Sequence, residues 1–244
     1  MHQARTYRKL VNTEKLTAFQ VVVKETDLLV HAERELAAET RELVLEHRGY
    51  VEAFINAHPD FTTALSPWRL DGPAPQIVTD MINAGANAGV GPMAAVAGAI
   101  AEQVGRGLLK ITNQVIVENG GDVFIKTAAA VTVGILAGKS PLSMQLGIRL
   151  RCDQQPAAVC TSSGTVGHSL SFGKADAVCV IARSCAVADA AATAIGNLVT
   201  SPANINDGIT AGRNIKKIDG IIIVCGSKMG IWGDLEVVPL INPA

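Results

Sequence analysis

The sequence predicts an α+β fold in which antiparallel sheets pack against helices, and three observations carry that reading. β-branched runs such as 115–117 and 123–126 follow one another through tight turns with no helix between them, which makes neighbours antiparallel. Helical spacing is confined to a few longer stretches, at 33–58, 77–84, 92–108 and 184–199. Apolar residues reach 48% while aromatic residues make up only 4%, so the core must be aliphatic and alanine-rich, with backbones in close approach.

Residues 16–30 read as a hairpin with a polar turn at 24–27. Over 33–58, Leu36, Leu43, Leu45, Val51, Phe54 and Ile55 form a broken apolar stripe; Gly49 is a candidate kink and Pro59 a stop. Residues 60–75 are rich in proline and glycine and read as a loop. The chain is one unit over 1–244, and 60–75 is where a subdivision would fall. A short helix at 77–84 is followed by a glycine-rich stretch. Pro92 then suits the first turn of a helix with Met93, Val96, Ile100, Val104 and Leu108 on one face. Strands are expected at 115–117, 123–126, 131–136, 144–150, 157–160, 177–182, 221–224 and 235–238, with Ser184 as N-cap of a helix reaching about Val199. No long sequence repeat is visible.

The charge balance is near neutral, with 21 basic and 22 acidic residues and no long run of one sign. That is poor footing for nucleic acid or an anionic membrane, where a basic face supplies affinity. No segment offers the roughly 20 unbroken apolar residues of a membrane helix. The N-terminus has no apolar stretch behind it, and five cysteines without a Cys-x-x-Cys pair suit a reducing compartment, so a cytoplasmic location is expected.

Two familiar nucleotide motifs fail on spacing and context. Gly134 and Gly138 are separated by three residues where a P-loop has four, and Pro141 follows where a helix should begin. Gly89-Val-Gly91 matches a loose dinucleotide fingerprint but follows a helix instead of a strand. Three stretches carry more. Asn119, Gly120, Gly121 and Asp122 read either as a hairpin turn or as backbone brought against a flat or phosphorylated ligand. The hydroxyl-rich stretch of Thr161, Ser162, Ser163 and Gly164, continuing to His168, either solvates itself or offers hydroxyls and amides to a phosphate. His168 in it is a candidate proton donor or acceptor.

The helix at 185–199 is the most informative. Alanine occupies nearly every small position, yet Asp189, Thr193 and Asn197 stand at i, i+4 and i+8 on one face. A carboxylate and a hydroxyl one turn apart are hard oxygen ligands, suited to Mg2+ that shares its site with a substrate phosphate. The competing reading is a solvated stripe on an amphipathic helix.

Asn119-Gly-Gly-Asp122, Thr161-Ser-Ser-Gly164 and Ala188-Asp-Ala-Ala-Ala-Thr193, in this order, resemble the signature of the ApbE-type flavin transferases. Gly91-Pro-Met-Ala-Ala-Val-Ala-Gly98 and the stretch from Ser163 to Gly173 are similar to an uncharacterised cytosolic branch of that superfamily. The resemblance implies an ApbE-like, T-fold-related architecture and chemistry in which Mg2+ serves the cleavage of FAD and the transfer of FMN to a protein threonine. It implies Asp189 and Thr193 as metal ligands and His168 as a catalytic group. Gly98, Glu102, Asn119–Asp122 and Thr161–Gly164 would bind the cofactor. The lysine and the aromatic residue expected near Ala97 and Ala99 are absent.

Two functions follow as expectations. The first is a Mg2+-dependent protein binding a flavin or other nucleotide diphosphate and cleaving it. The second is a non-transferase accessory protein; the branch is linked with sulfide assimilation into homocysteine, which would draw attention to Cys160. The related fold implies a homo-oligomer, assembled edge to edge.

Overall fold

The alternating apolar residues of the first hairpin form β1 (Thr17–Val23) and β2 (Thr26–Ala32), in register from Thr17 opposite Ala32 to Val23 opposite Thr26. The computed structural model, which describes residues 16–165 and 172–240, continues with α1 (Ala37–Ala57), unbroken through Gly49, and stops it at Pro59. After it come α2 (Gln76–Ala88) and α3 (Val96–Leu108). Gly89 ends α2 in the left-handed conformation at φ 75°, and the chain turns so that the two apolar helices meet at 106°. Pro92 opens a 3-10 turn, Pro92–Ala95, ahead of α3.

The remaining strands are β3 (Val115–Asn119), β4 (Asp122–Lys126), β5 (Val131–Gly134), β6 (Leu146–Leu150), β7 (Ala157–Ser162), β8 (Ala177–Ala182), β9 (Ile218–Cys225), β10 (Lys228–Gly233) and β11 (Glu236–Pro239). Between β8 and β9 lie α4 (Cys185–Leu198) and α5 (Ile205–Gly212). Eight strands form one sheet in the order β1-β2-β3-β4-β7-β8-β9-β10, and β11-β6-β5 form a second; every pair is antiparallel. The expected run of consecutive strands therefore splits: β5 leaves β4 and pairs with β6 in the smaller sheet. The β10 strand and α5 were not legible in the sequence. β10 carries two of its six residues as glycine, and α5 is only eight residues long.

Period-two alternation sorts the main sheet into two cores. Val30, Val117, Phe124, Ala158, Cys160, Val178 and Val180 face the helices. Ile116, Val123, Ile125, Val159, Cys179, Ile181 and Ile222 face the small sheet, which contributes Val131, Ile148 and Leu150. Phe61 and Trp68, from the segment expected to be a loop, stack edge to face at 5.4 Å on the helical side.

The element order repeats. A hairpin (β1–β2), helices and a second hairpin (β3–β4) are followed, after the small sheet's β5 and β6, by a hairpin (β7–β8), helices and a hairpin (β9–β10). The pairing of β4 with β7 is the seam between the two halves.

Above the seam, α3 and α4 run antiparallel in unusually close contact. A Cβ on Gly98 would lie 2.5 Å from the Cys185 carbonyl oxygen and 2.9 Å from the Asp189 Cβ, so only glycine fits. Neither helix is capped by its own N-cap side chain: Ala95 has none to offer, and Ser184 makes no cap bond. Each is capped from the other. Asp189 of α4 accepts the Gly98 amide of α3 at 2.9 Å, and Glu102 of α3 accepts the Cys185 amide of α4 at 2.7 Å. Ser184 donates its hydroxyl to the same Glu102 oxygen at 2.9 Å, while the other oxygen holds Arg106. A carboxylate at a helix N-terminus satisfies amides that the helix leaves unpaired and complements its dipole.

Glu102→Ala should cost about 2–4 kcal/mol in urea unfolding, because a buried amide and a hydroxyl lose their acceptor. Glu102→Gln, which keeps an acceptor there, should cost clearly less. Equal losses for the two variants would count against the capping role.

Candidate functional site

The seam brings most of the sequence-predicted residues to one end of the sheet. Gly120 and Gly121 take φ 68° and 109°, the positive values of a two-residue hairpin turn, and the turn places Asn119 directly opposite Asp122. The Gly121 amide donates to Glu118 Oε1 at 2.9 Å. Asn119 and Asp122 share the helix-facing side with Val117 and Phe124, so both point beneath α3 and α4. Asn119 Nδ2 donates to the Ala97 carbonyl at 3.0 Å, which ties the hairpin to the start of α3.

Asp122 is 6% exposed, and its Oδ1 is buried with no hydrogen-bond partner among the described residues. Burial pushes its carboxyl well above the usual range; the charge of Asp189 adds to the rise, and the polar Cys160 thiol and Thr161 amide nearby oppose it. Asp189 keeps partial exposure on α4. Its carboxyl is pushed up to about 7 by desolvation, against the pull of the Gly98 and Ala97 amides. Two carboxylates thus stand close enough to repel, one with an oxygen left unsatisfied. A buried acceptor without a donor is costly unless a proton or a cation supplies one.

Thr193, one turn beyond Asp189, is half-buried, and its hydroxyl has no hydrogen-bond partner among the described residues. Asn197, a turn further, accepts the Phe172 amide at 2.9 Å and so anchors the chain just after residues 166–171. Among the described residues no group of three or more His, Cys, Asp or Glu is arranged to hold a metal. A cation here would rest on Asp189 and Asp122 with neutral oxygens such as that of Thr193, a donor set that suits a hard ion sharing its shell with a phosphate.

The hydroxyl stretch divides along the strand. The Thr161 hydroxyl points to the small-sheet side and donates to Cys179 Sγ at 3.2 Å, whereas Ser162 lies on the helix side near Gly196. Ser163 Oγ accepts the Thr165 amide at 3.0 Å, and the Gly164 amide donates to Ala175 at 2.9 Å. Gly164 packs on the backbone of Gly173, and Gly173 on that of Gly196, so these glycines serve close approach of the chain. His168 lies outside the described residues.

Gly98 and Glu102 are committed to the α3–α4 contact: the first has no room for a side chain, and the second has both oxygens engaged. Cys160 is fully buried and donates to the Cys185 carbonyl at 3.4 Å; its thiol is pushed well above the usual range, chiefly by burial, and is held neutral. It is a packed structural thiol. The contributions of the Ala97 carbonyl and amide are backbone ones, and no sequence signal could have announced them.

A family model described as "AbpE bacteria" matches residues 8–212. A UPF0280 protein of Methanococcus vannielii is 42% identical over 227 residues, 91% of this chain and 92% of its own length. UPF0280 protein MJ1526 of Methanocaldococcus jannaschii is 42% identical over 224 residues, 88% of this chain and 90% of its own. The fold is shared with the ApbE protein of Thermotoga maritima, at TM-score 0.57 and 15% identity over 88% of this chain and 96% of that one. It is shared also with the flavinyl transferase ApbE of Pseudomonas stutzeri, at TM-score 0.56 and 14% identity over 89% and 94%. No single helix among the described residues is long and apolar enough to cross a membrane. With its model spanning residues 8–212 and relatives this similar over nearly their whole length, the chain belongs to the AbpE bacteria family of ApbE-like proteins, beside the UPF0280 proteins.

Proposed function

We propose that the seam between β4 and β7 is a Mg2+-assisted site for a flavin or other nucleotide diphosphate. The observation that carries this reading is the carboxylate pair: Asp122 buried with an unsatisfied Oδ1, and Asp189 beside it with its carboxyl raised to about 7. A divalent cation would relieve both the repulsion and the missing donor. Asp189 and Thr193 are the proposed metal ligands, with Asp122 as the buried anion behind them. Asn119–Asp122 and Thr161–Gly164 frame the ligand, and His168 is the proposed proton carrier. Bound there, Mg2+ would stabilise negative charge developing on a phosphate as the diphosphate is cleaved. The fold shared with the flavinyl transferase ApbE of Pseudomonas stutzeri supports the choice of a flavin nucleotide.

A second reading, binding without transfer, is favoured by one observation. Where the resemblance leads one to expect an aromatic residue, Ala99 is buried and packed, so no ring from that position can stack on a cofactor. The accessory role in sulfide chemistry would not run through Cys160, which is neutral and enclosed.

Asp189→Asn separates structure from chemistry, because the amide oxygen can still accept from Gly98 while the charge is lost. Incubation with FAD and Mg2+ should yield FMN and AMP with the parent chain and none with this variant, at nearly unchanged melting temperature without metal. Mg2+-dependent binding of FAD with no FMN formed would select the second reading. Neither turnover nor a Mg2+-dependent thermal shift with FAD would sink the first.

The raised carboxyls also fix a pH dependence. In the folded chain they retain protons that the unfolded chain, with Asp near 3.8, has already released. Their contribution to stability without metal is therefore fully present below about 3.8 and, for Asp189, lost as pH rises through about 7. Mg2+ should restore it at the upper end, and the midpoint of thermal unfolding with and without Mg2+ across this range measures both effects.

A further inference from the structure

Away from the seam, a cavity of about 250 Å³ opens where the small sheet ends over the main one. β7 connects the two places: it begins beside the cavity at Ala157 and ends beside the seam at Ser162. The cavity therefore lies at the opposite end of the strands, and on the face turned away from the helices. Its floor is aliphatic, with Leu150, Ala157 and Ile181 from the buried core between the sheets and Leu235 closing one side. The rim carries both signs of charge, Arg149 and Arg183 against Asp219, Asp234 and Glu236.

An irregularity in β9 shapes this rim. β8 and β9 pair residue for residue from Ala177 opposite Val224 to Ile181 opposite Gly220; Ala182 then lies opposite Ile218, which leaves Asp219 as an extra residue on β9. Such a bulge inverts the alternation beyond it and re-aims a side chain. Counted in twos from Ile221 and Ile223, which face the helices, Asp219 would face the helices and Ile218 the small sheet. Instead Ile218 packs in the helical core and Asp219 lines the cavity. Two glycines hold the neighbouring turn against the bulge. A Cβ on Gly220 would lie 2.5 Å from a Leu235 methyl, and one on Gly233, at φ 105°, would strike the Asp219 carbonyl.

The rim charges are largely unengaged. Neither the Asp219 nor the Asp234 carboxylate accepts a hydrogen bond or closes an ion pair among the described residues. Arg183 makes one long bond, to the Pro156 carbonyl at 3.5 Å. Arg149 and Glu236 meet only at 3.8 Å with both side chains half-exposed, a pair that holds little.

We infer that this cavity binds a small zwitterion with an aliphatic body, the chemistry of a free branched-chain amino acid. Its ammonium lies at Asp219, its carboxylate at Arg183, and its hydrocarbon between Ile181, Leu150 and Leu235. Three features select this class. The volume is below the roughly 300–1,000 Å³ of pockets that hold drug-sized ligands, so the occupant is of single amino-acid size. No aromatic side chain lines the cavity, so nothing there stacks on a ring. The free charges of opposite sign stand on adjacent strands, Asp219 on β9 and Arg183 just past the end of β8, where charge-assisted bonds can hold both ends of a dipolar molecule. This site is independent of the seam and of the reading proposed for it.

The test titrates the full isotope-labelled chain by NMR with leucine, with leucine amide, which lacks the carboxylate, and with N-acetyl-leucine, which lacks the ammonium. Leucine should move the amide resonances of Ala157, Ile181, Asp219 and Leu235 saturably and leave those of Gly120 and Gly121 at the seam in place. Each derivative should bind at least tenfold more weakly. Asp219 and Arg183 are exposed, so their variants keep the fold, which the unfolding midpoint checks. Asp219→Asn should weaken leucine at least tenfold yet leave N-acetyl-leucine within twofold of the parent. Arg183→Gln should weaken leucine as much yet leave leucine amide within twofold. No saturable shift with leucine, derivatives that bind as tightly as leucine, or a variant that weakens all three ligands alike would each overturn the inference.

Discussion

The exchange of carboxylates between α3 and α4 is the constraint on which the rest of the molecule is arranged. Each helix begins without a useful cap of its own, and each receives one from the other, Asp189 to Gly98 and Glu102 to Cys185. The exchange works only because Gly98 lets the two backbones meet, and it fixes the antiparallel offset of the helices to within a turn. Since α3 belongs to the first half of the chain and α4 to the second, the same contact locks the halves across the β4–β7 seam. Asp189 is therefore a structural residue and a candidate ligand at once.

That double role explains why the electrostatics concentrate where they do. The helix amides lower the cost of a carboxylate at Asp189, but they are spent on that residue and leave Asp122 below with its own charge uncompensated. Glu102, the other capping carboxylate, has both oxygens engaged by Cys185, Ser184 and Arg106. Of two carboxylates in mirror-like positions, only the one next to Asp122 sits in a field that a cation would relieve.

Much of this was legible in the amino acids. β-branched runs separated by tight turns identified the antiparallel sheet, and the i, i+4, i+8 stripe on an alanine helix singled out Asp189, Thr193 and Asn197. The Asn119–Asp122 hairpin could be read from its glycines because positive φ has few other sources. What escaped was non-local. The partition of β5 and β6 into a second sheet depends on which face of the main sheet needs covering, and period-two alternation leaves that open. The internal repetition of hairpin, helices and hairpin exists in topology with no trace in sequence. Glu102 entered through the family resemblance alone, and its part in capping α4 comes into view only with the partner helix in place.

The hydrogen bond from Gly98 to Asp189 has one more consequence. A free aspartate on a helix samples several rotamers, and a ligand that requires one of them must meet the entropy of fixing it. Here folding has already chosen the rotamer, and the choice is enforced by a glycine that admits no substitute. Whatever binds at the seam meets a carboxylate that is preorganised, held by the same bond that keeps the two halves of the protein together.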